Sequence, residues 1–260
     1  MSLIKQLRQM LPGIGDQDAP RFAASLSTPG PYAAMQPREG VERGTLRSGR
    51  CPAGAVYPGV PHDYQVYLPA RAQGPAALLV CMDGARYLGP EANTPAVLDA
   101  LIAEGAIPPT VAVFIEPGAE GPGLPIYGGA GNRSIEYDSP GDAYARFLLD
   151  ELLPQALAGV SVTDDPAQRV LCGLSSSGHC ALNAAWERPD AFGKVISHCG
   201  SFVALRGGHE LASKIRREPH GLRRVFLQTG EHDLDIVFGS WLAANRDMAA
   251  ALAYAGIEHR

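Results

Sequence analysis

The sequence predicts an α/β protein: a mostly parallel central sheet with helices on both faces. Three observations predict it. Short apolar runs without polar alternation recur along the chain, as strands buried on both faces do. Segments of helical periodicity fall between them, and that alternation means parallel strands joined by crossover helices. The length of 260 residues lies near the upper size of a single hydrophobic core.

Residues 1–40 read as a polar, Pro-rich lead-in to one domain over residues 41–260. Within the lead-in, Leu3, Ile4, Leu7, Met10 and Leu11 share one face of a short helix expected to pack on the body. "HDYQVYLP", from His62 to Pro69, alternates apolar and polar residues and predicts a strand with one wet face. "AALLVCMDG" (Ala76 to Gly84), "TVAVFIEPG" (Thr110 to Gly118) and "RVLCGLS" (Arg169 to Ser175) predict fully buried strands. "KVISHCGSF" and "RVFLQTG" predict two more. Between them, "NTPAVLDALIAEG" is a helix capped by Asn93, with Pro95 in its first turn and Gly105 at its end. "GDAYARFLLDELLPQAL" carries Tyr144, Phe147, Leu148 and Leu152 on one helical side. "SGHCALNAAWERP" and "SWLAANRDMAAALAYAG" complete the helices. No internal repeat and no domain-separating linker occurs.

Composition narrows the function classes. A hydrophobic content of 46% excludes a disordered chain, and the 30 glycines and 22 prolines sit in short clusters as loop punctuation. A net charge of -5 without a basic cluster argues against nucleic acid and anionic membrane as partners. No stretch approaches the roughly 20 apolar residues of a membrane span, and the opening residues are too polar for a signal-peptide core. Five cysteines make an odd count with no CxxC spacing. Cys81 and Cys172 lie inside apolar runs, where reduced buried thiols are expected, and a cytoplasmic location follows. No histidine pair has the spacing of metal ligands, so no metal is expected.

The chemistry concentrates in "GLSSSG", Gly173 to Gly178, at a strand-to-helix junction. Small residues around a sharp turn let strand and helix approach closely and push the turn side chain out above the sheet. This is the G-x-S-x-G nucleophile elbow, with Ser175 at its tip and Ser177 in place of the trailing glycine. An attacking serine needs oxyanion donors. The Ser176 N–H, at a helix N-terminus, is one candidate. "CMDGARYL" is the loop for the second, with Gly84 turning the Ala85 N–H into the site. The acid that orients the base belongs in a later loop, and "LQTGEHDLDI" offers Asp233, preferred, or Asp235.

With these stretches the chain resembles the putative-esterase branch of the α/β-hydrolases, which includes enterochelin esterases, feruloyl esterase modules and, more distantly, mycolyltransferases. The similarity runs from about residue 40 to the end, on "YPGVPHDYQVYLP", "MDGARYL", "GNRSIEYD", "GLSSSGHCALNAAWERPDAFGKVISHCGSF" and "LQTGEHDLD". It implies an α/β-hydrolase fold and a cofactor-free carboxylic-ester hydrolase acting on a small-molecule ester or lactone through an acyl-enzyme. An acyltransferase, or a catalytically impaired pseudo-hydrolase, would use the same scaffold. By the resemblance Ser175 is the nucleophile, Asp233 the acid, Ala85 and Ser176 the oxyanion donors, and Arg86 a substrate contact. It also implies an Arg133–Glu136 pairing within "NRSIEY". In relatives the chain continues through one more strand into a Gly-Gly-His loop. The resemblance therefore expects the catalytic histidine roughly eight residues beyond Arg260, with the last strand and helix also beyond it and "RVFLQTG" left as a sheet edge. Of the histidines present, His198 at a strand end is the nearest substitute. His259 falls in the incipient last strand, His232 neighbours Asp233, and His179 faces away from the elbow. His62, His209 and His220 read as surface or loop residues.

Overall fold

The computed structural model describes residues 15–18, 20–21, 33–72, 74–119, 132–218 and 221–260. The lead-in helix expected over residues 3–11 and His220 lie outside these. Among the described residues the strands are β1 (Thr45–Cys51), β2 (His62–Leu68), β3 (Ala77–Met82), β4 (Thr110–Ile115), β5 (Arg169–Leu174), β6 (Lys194–His198), β7 (Arg224–Gln228), β8 (Asp235–Ile236), β9 (Gly239–Ser240) and β10 (Glu258–His259). Strands β8 and β9 pair as a small ribbon, and the others form one sheet in the order β1-β2-β4-β3-β5-β6-β7-β10. The β1/β2 and β2/β4 pairs are antiparallel; all pairs from β4 to β10 are parallel. The expected α/β architecture is present.

Strand β1 has no counterpart in the sequence reading. Its residues are mostly exposed, so it carries no buried run to signal it, and its arginines suit a solvent-facing edge. At the opposite edge, the final strand expected beyond the chain begins inside it. Glu258 and His259 pair in parallel with Arg224 and Val225 of β7, and the Leu227 N–H donates to the Arg260 carbonyl.

Among the described residues the helices include α1 (Gly84–Leu88), α2 (Thr94–Ala103), α3 (Arg133–Asp138), α4 (Ala143–Arg146), α5 (Leu153–Ala156), α6 (Ser176–Glu187), α7 (Leu211–Arg217) and α8 (Trp241–Tyr254). The single helix expected over 141–157 is α4, a π-helical turn (Phe147–Leu152) and α5 in succession. Pro154 explains the widening: it has no N–H to donate, and its ring would crowd the carbonyl four residues back. Asn93 stands at the N-cap of α2, but its side chain donates to the Met35 carbonyl instead of closing the helix.

Alternation along the strands divides the core. Leu78, Val80, Met82 and Leu171 face the larger cluster with Phe147, Leu152 and Trp186. Cys81, Phe114 and Cys172 face the other side, under Leu98 of α2. Helix α6 is buried from Ser176 through Trp186, so it runs through the core and not over it. It sits this close to β5 because residue 173 is glycine: a Cβ there would lie 2.1 Å from the Ser177 carbonyl oxygen. Among the described residues, no helix is long and apolar enough to cross a membrane.

Gly173→Ala forces that backbone contact apart. It is expected to lower stability by about 1–3 kcal/mol, as overpacking does, measured as a shift in the urea unfolding midpoint. An unchanged midpoint would refute the close-approach account.

Candidate active site

Ser175 joins β5 to α6 at φ 57° and ψ -122°, a backbone conformation that side-chain-bearing residues rarely adopt. Such strain costs about 1–3 kcal/mol and persists only where its surroundings over-determine it. Here the Ser175 N–H donates to the His198 carbonyl at 2.9 Å, and the Ser175 carbonyl accepts from His179 N at 3.1 Å and Ser201 N at 3.0 Å. The Ser175 hydroxyl lies 3.1 Å from Ser201 Oγ, which also accepts from Trp241 Nε1 at 3.1 Å. Gly178 provides the close approach to β6, since a Cβ there would fall 2.8 Å from Ser197 Oγ. Ser177 occupies the place of the trailing glycine and puts its hydroxyl to use. Its Oγ accepts from the Leu174 N–H at 2.9 Å and lies 2.7 Å from Asp83 Oδ2.

Asp83 ends β3 in a left-handed conformation at φ 56°. Its buried carboxylate takes both prongs of Arg133, at 2.9 and 2.7 Å. Burial pulls the Arg133 guanidinium down, but the bonds and charge of Asp83 more than offset it and the arginine stays charged. This corrects the expected Arg133–Glu136 pairing. Glu136 points elsewhere: its Oε1 accepts from Gly118 N at 3.0 Å and Asn132 Nδ2 at 2.8 Å, and lies 3.0 Å from His62 Nε2. His62 is therefore a buried partner and not the surface histidine expected. The i, i+3 spacing of Arg133 and Glu136 suggested a local pair, whereas α3 lies between the end of β3 and the loop after β4 and sends one residue to each.

Of the two expected oxyanion donors, Ser176 N–H opens α6, where no carbonyl within the helix can take it. The Ala85 N–H instead donates to Glu116 Oε1, from the residue directly after β4. Burial first, and the nearby Asp83 charge, push the Glu116 carboxyl above its ordinary range against the pull of the Ala85 N–H, Arg86 and Arg133. Arg86 is exposed on α1, with its charge felt at Glu116 and at Cys199.

Asp233 lies in the turn after β7, its carboxylate held by Thr229 Oγ1 and the Leu234 N–H, both at 2.8 Å. Asp235 is exposed and paired with Arg21 at 2.8 Å. Cys199 stands among these groups: burial and then Asp233 push its thiol up to about 11, opposed by the Ser175 backbone and Arg86. Among the described residues no histidine hydrogen-bonds to Ser175 Oγ. His198, the nearest substitute by sequence, turns its Nδ1 to Tyr87 Oη at 2.9 Å on the α2 side of the sheet. His179 faces away from the elbow as expected, with Nδ1–H donating to the Tyr137 carbonyl at 2.9 Å. His259 Nδ1 lies 2.9 Å from the Ile257 carbonyl oxygen, within the β10 segment. Sequence reasoning missed Ser201, Glu116 and Cys199. Their one signal was position, since each follows the carboxyl end of a buried strand, where functional groups collect. Among the described residues no three His, Cys, Asp or Glu are placed to hold a metal ion.

A profile of the family described as Putative esterase matches residues 57–259. The chain is 35% identical over 194 residues to the iron(III) enterobactin esterase of Dickeya dadantii (strain 3937), an alignment covering 69% of this chain and 41% of that protein. The enterobactin esterase of Shigella flexneri superposes with a TM-score of 0.65 at 22% identity, over 83% of this chain and 53% of that one. A CE1 ferulic acid esterase from Anaeromyces mucronatus gives 0.64 at 19% identity, over 90% and 88%. The chain thus spans about half the length of the enterobactin esterases it matches, and the two structures testify to the fold alone.

The Asp83–Arg133 assignment is measurable. Arg133→Met leaves Asp83 buried without its counter-charge and is expected to cost about 3 kcal/mol. In double-mutant cycles read by urea unfolding, Arg133→Met should couple to Asp83→Asn by about 0.5–3 kcal/mol. A larger coupling to Glu136→Gln would restore the local pairing.

Proposed function

The chain belongs to the Putative esterase family, and from that premise we propose that it hydrolyses a carboxylic ester or lactone through an acyl-enzyme on Ser175. The single observation that carries this reading is the strained, triply hydrogen-bonded Ser175 at the strand–helix junction. Strain of this kind is kept where it presents a side chain for work. Ser175 Oγ attacks the ester carbonyl, the alcohol departs, and water then releases the acid.

Trp241 Nε1 donates to Ser201 Oγ, which leaves the Ser201 hydroxyl hydrogen free to be donated to Ser175 Oγ. The nucleophile then keeps its own proton for a base. No described histidine fills the place of the base; the imidazole that the resemblance implies would be oriented by Asp233, whose carboxylate is already held by two donors, while Asp235 is committed to Arg21. The oxyanion is received by the N–H groups of Ser176 and Ala85, so the substrate oxygen displaces Glu116 from Ala85. Arg86, exposed beside that turn, is positioned to meet the substrate. Two relatives by name act on enterobactin and ferulic acid esters, which supports a small-molecule ester as substrate. Five unpaired thiols support a reducing, cytoplasmic setting.

Ser175→Ala should abolish fluorophosphonate labelling, and equal labelling of both forms would sink the assignment; where the base is present it should also lower p-nitrophenyl butyrate turnover by on the order of 10⁴–10⁶. Where the base is present, Asp233→Asn should lower kcat by on the order of 10⁴ while Asp235→Asn stays near the parent rate, and the reverse ranking would exchange their roles. Glu116→Ala frees the Ala85 N–H. It should raise kcat/KM by about tenfold, the worth of one hydrogen bond to a charged group, whereas a rate unchanged or lower would argue against Ala85 as a donor.

A further inference from the structure

The α2 face of the sheet holds a second chemical cluster, separate from the Ser175 site. Cys81 of β3 and Cys172 of β5 are register partners on adjacent parallel strands. Both side chains join the same small core cluster, so they point to the same face. Neighbouring strands lie about 4.8 Å apart, inside the roughly 4.4–6.8 Å Cα separation that a disulfide spans. Each thiol lies in the electrostatic field of the other, and His198 and Tyr87, hydrogen-bonded to each other, stand beside Cys172. Both line a cavity of about 890 Å³, walled by Leu79, Leu98, Ile196 and Phe226.

We propose that Cys81 and Cys172 are a redox-active dithiol that an organic hydroperoxide, entering through this apolar cavity, converts to a disulfide. Cys172 is the attacking sulfur. Burial alone would raise its thiol, but the bonds from Cys81 and His198 and the His198 charge bring it below the ordinary range. Cys81 is pushed well up by burial and stays a thiol. The Cys172 thiolate attacks one peroxide oxygen and the O–O bond breaks. The alkoxide leaves as the alcohol after taking a proton, and Cys172 becomes a sulfenic acid. Cys81 then attacks that sulfur, the S–S bond forms, and hydroxide departs as water with the Cys81 proton. Two electrons leave the two sulfurs and two reduce the peroxide. A dithiol reverses the bond by exchange. The organic class follows from the walls, which are mostly aliphatic and aromatic, with Thr110, Gln168, Lys194 and His198 among the polar exceptions.

The test is to treat the folded chain with cumene hydroperoxide, block remaining thiols with N-ethylmaleimide, and map peptides by mass spectrometry. A Cys81–Cys172 cross-linked peptide, lost on dithiothreitol treatment and retained in Cys199→Ser, is the expected result. Cys172→Ser should slow oxidation at Cys81 at least tenfold, and hydrogen peroxide at equal concentration should cross-link the parent more slowly than the organic peroxide. Full N-ethylmaleimide labelling of both residues after peroxide, or oxidation confined to Cys199, would overturn the proposal. So would a cross-link that forms as fast in urea-unfolded chain. Faster cross-linking by hydrogen peroxide would overturn the organic class. The parent chain carries the primary readout, so a variant that folds poorly does not remove the test.

Discussion

The buried carboxylate of Asp83 holds the site together. It closes three segments that are distant in sequence: the turn leaving β3, helix α3 through Arg133, and the elbow through the Ser177 hydroxyl. A charge in this position is costly to bury alone and is tolerable only when fully hydrogen-bonded. That makes the arrangement close to all-or-none. If α3 shifted, Asp83 would lose its counter-charge, and the turn bearing Ala85 and the elbow bearing Ser175 would lose their common anchor. The left-handed backbone of Asp83 and the strained backbone of Ser175 lie at the two ends of this same clasp.

A second buried acid does parallel work one strand away. Glu136 gathers the Gly118 N–H, Asn132 and His62, so α3 is clamped at Arg133 to β3 and at Glu136 to β2 and the loop after β4. The short helix has six residues and sinks one large side chain, Tyr137, into the core. Its polar bonds add to that packing, and they set the walls beside the turn that carries Ala85.

What the sequence made legible followed from strong, local signals. Buried strands without alternation, glycines around Ser175 and the acid-bearing turn after β7 each declare themselves within a few residues. What it hid were pairings between segments. Arg133 has an acid three residues on, so a local partner looked sufficient, yet the guanidinium reaches Asp83 fifty residues away. His62 sits at a strand start that reads as surface, but the partner that buries it comes from α3. Strand β1 is polar because it is an edge, and an edge strand leaves little hydrophobic trace. Cys81 and Cys172 each read correctly as buried thiols. Only the strand order, which places β5 beside β3, makes them neighbours.

Strand order also sets a length scale for the chemistry. Ser175 follows β5 and the Asp233 turn follows β7, with β6 between them. Two strand spacings make a gap of about 10 Å. On the proposed reading, an imidazole with a hydrogen bond at each ring nitrogen would bridge it. The floor of that gap is the Cys199–Gly200–Ser201 turn, where a Cβ on Gly200 would fall 2.5 Å from Ser197 Oγ. The sheet thus works as a ruler: the middle strand ends in a turn of small residues, and the Ser175 and Asp233 turns stand on either side of it.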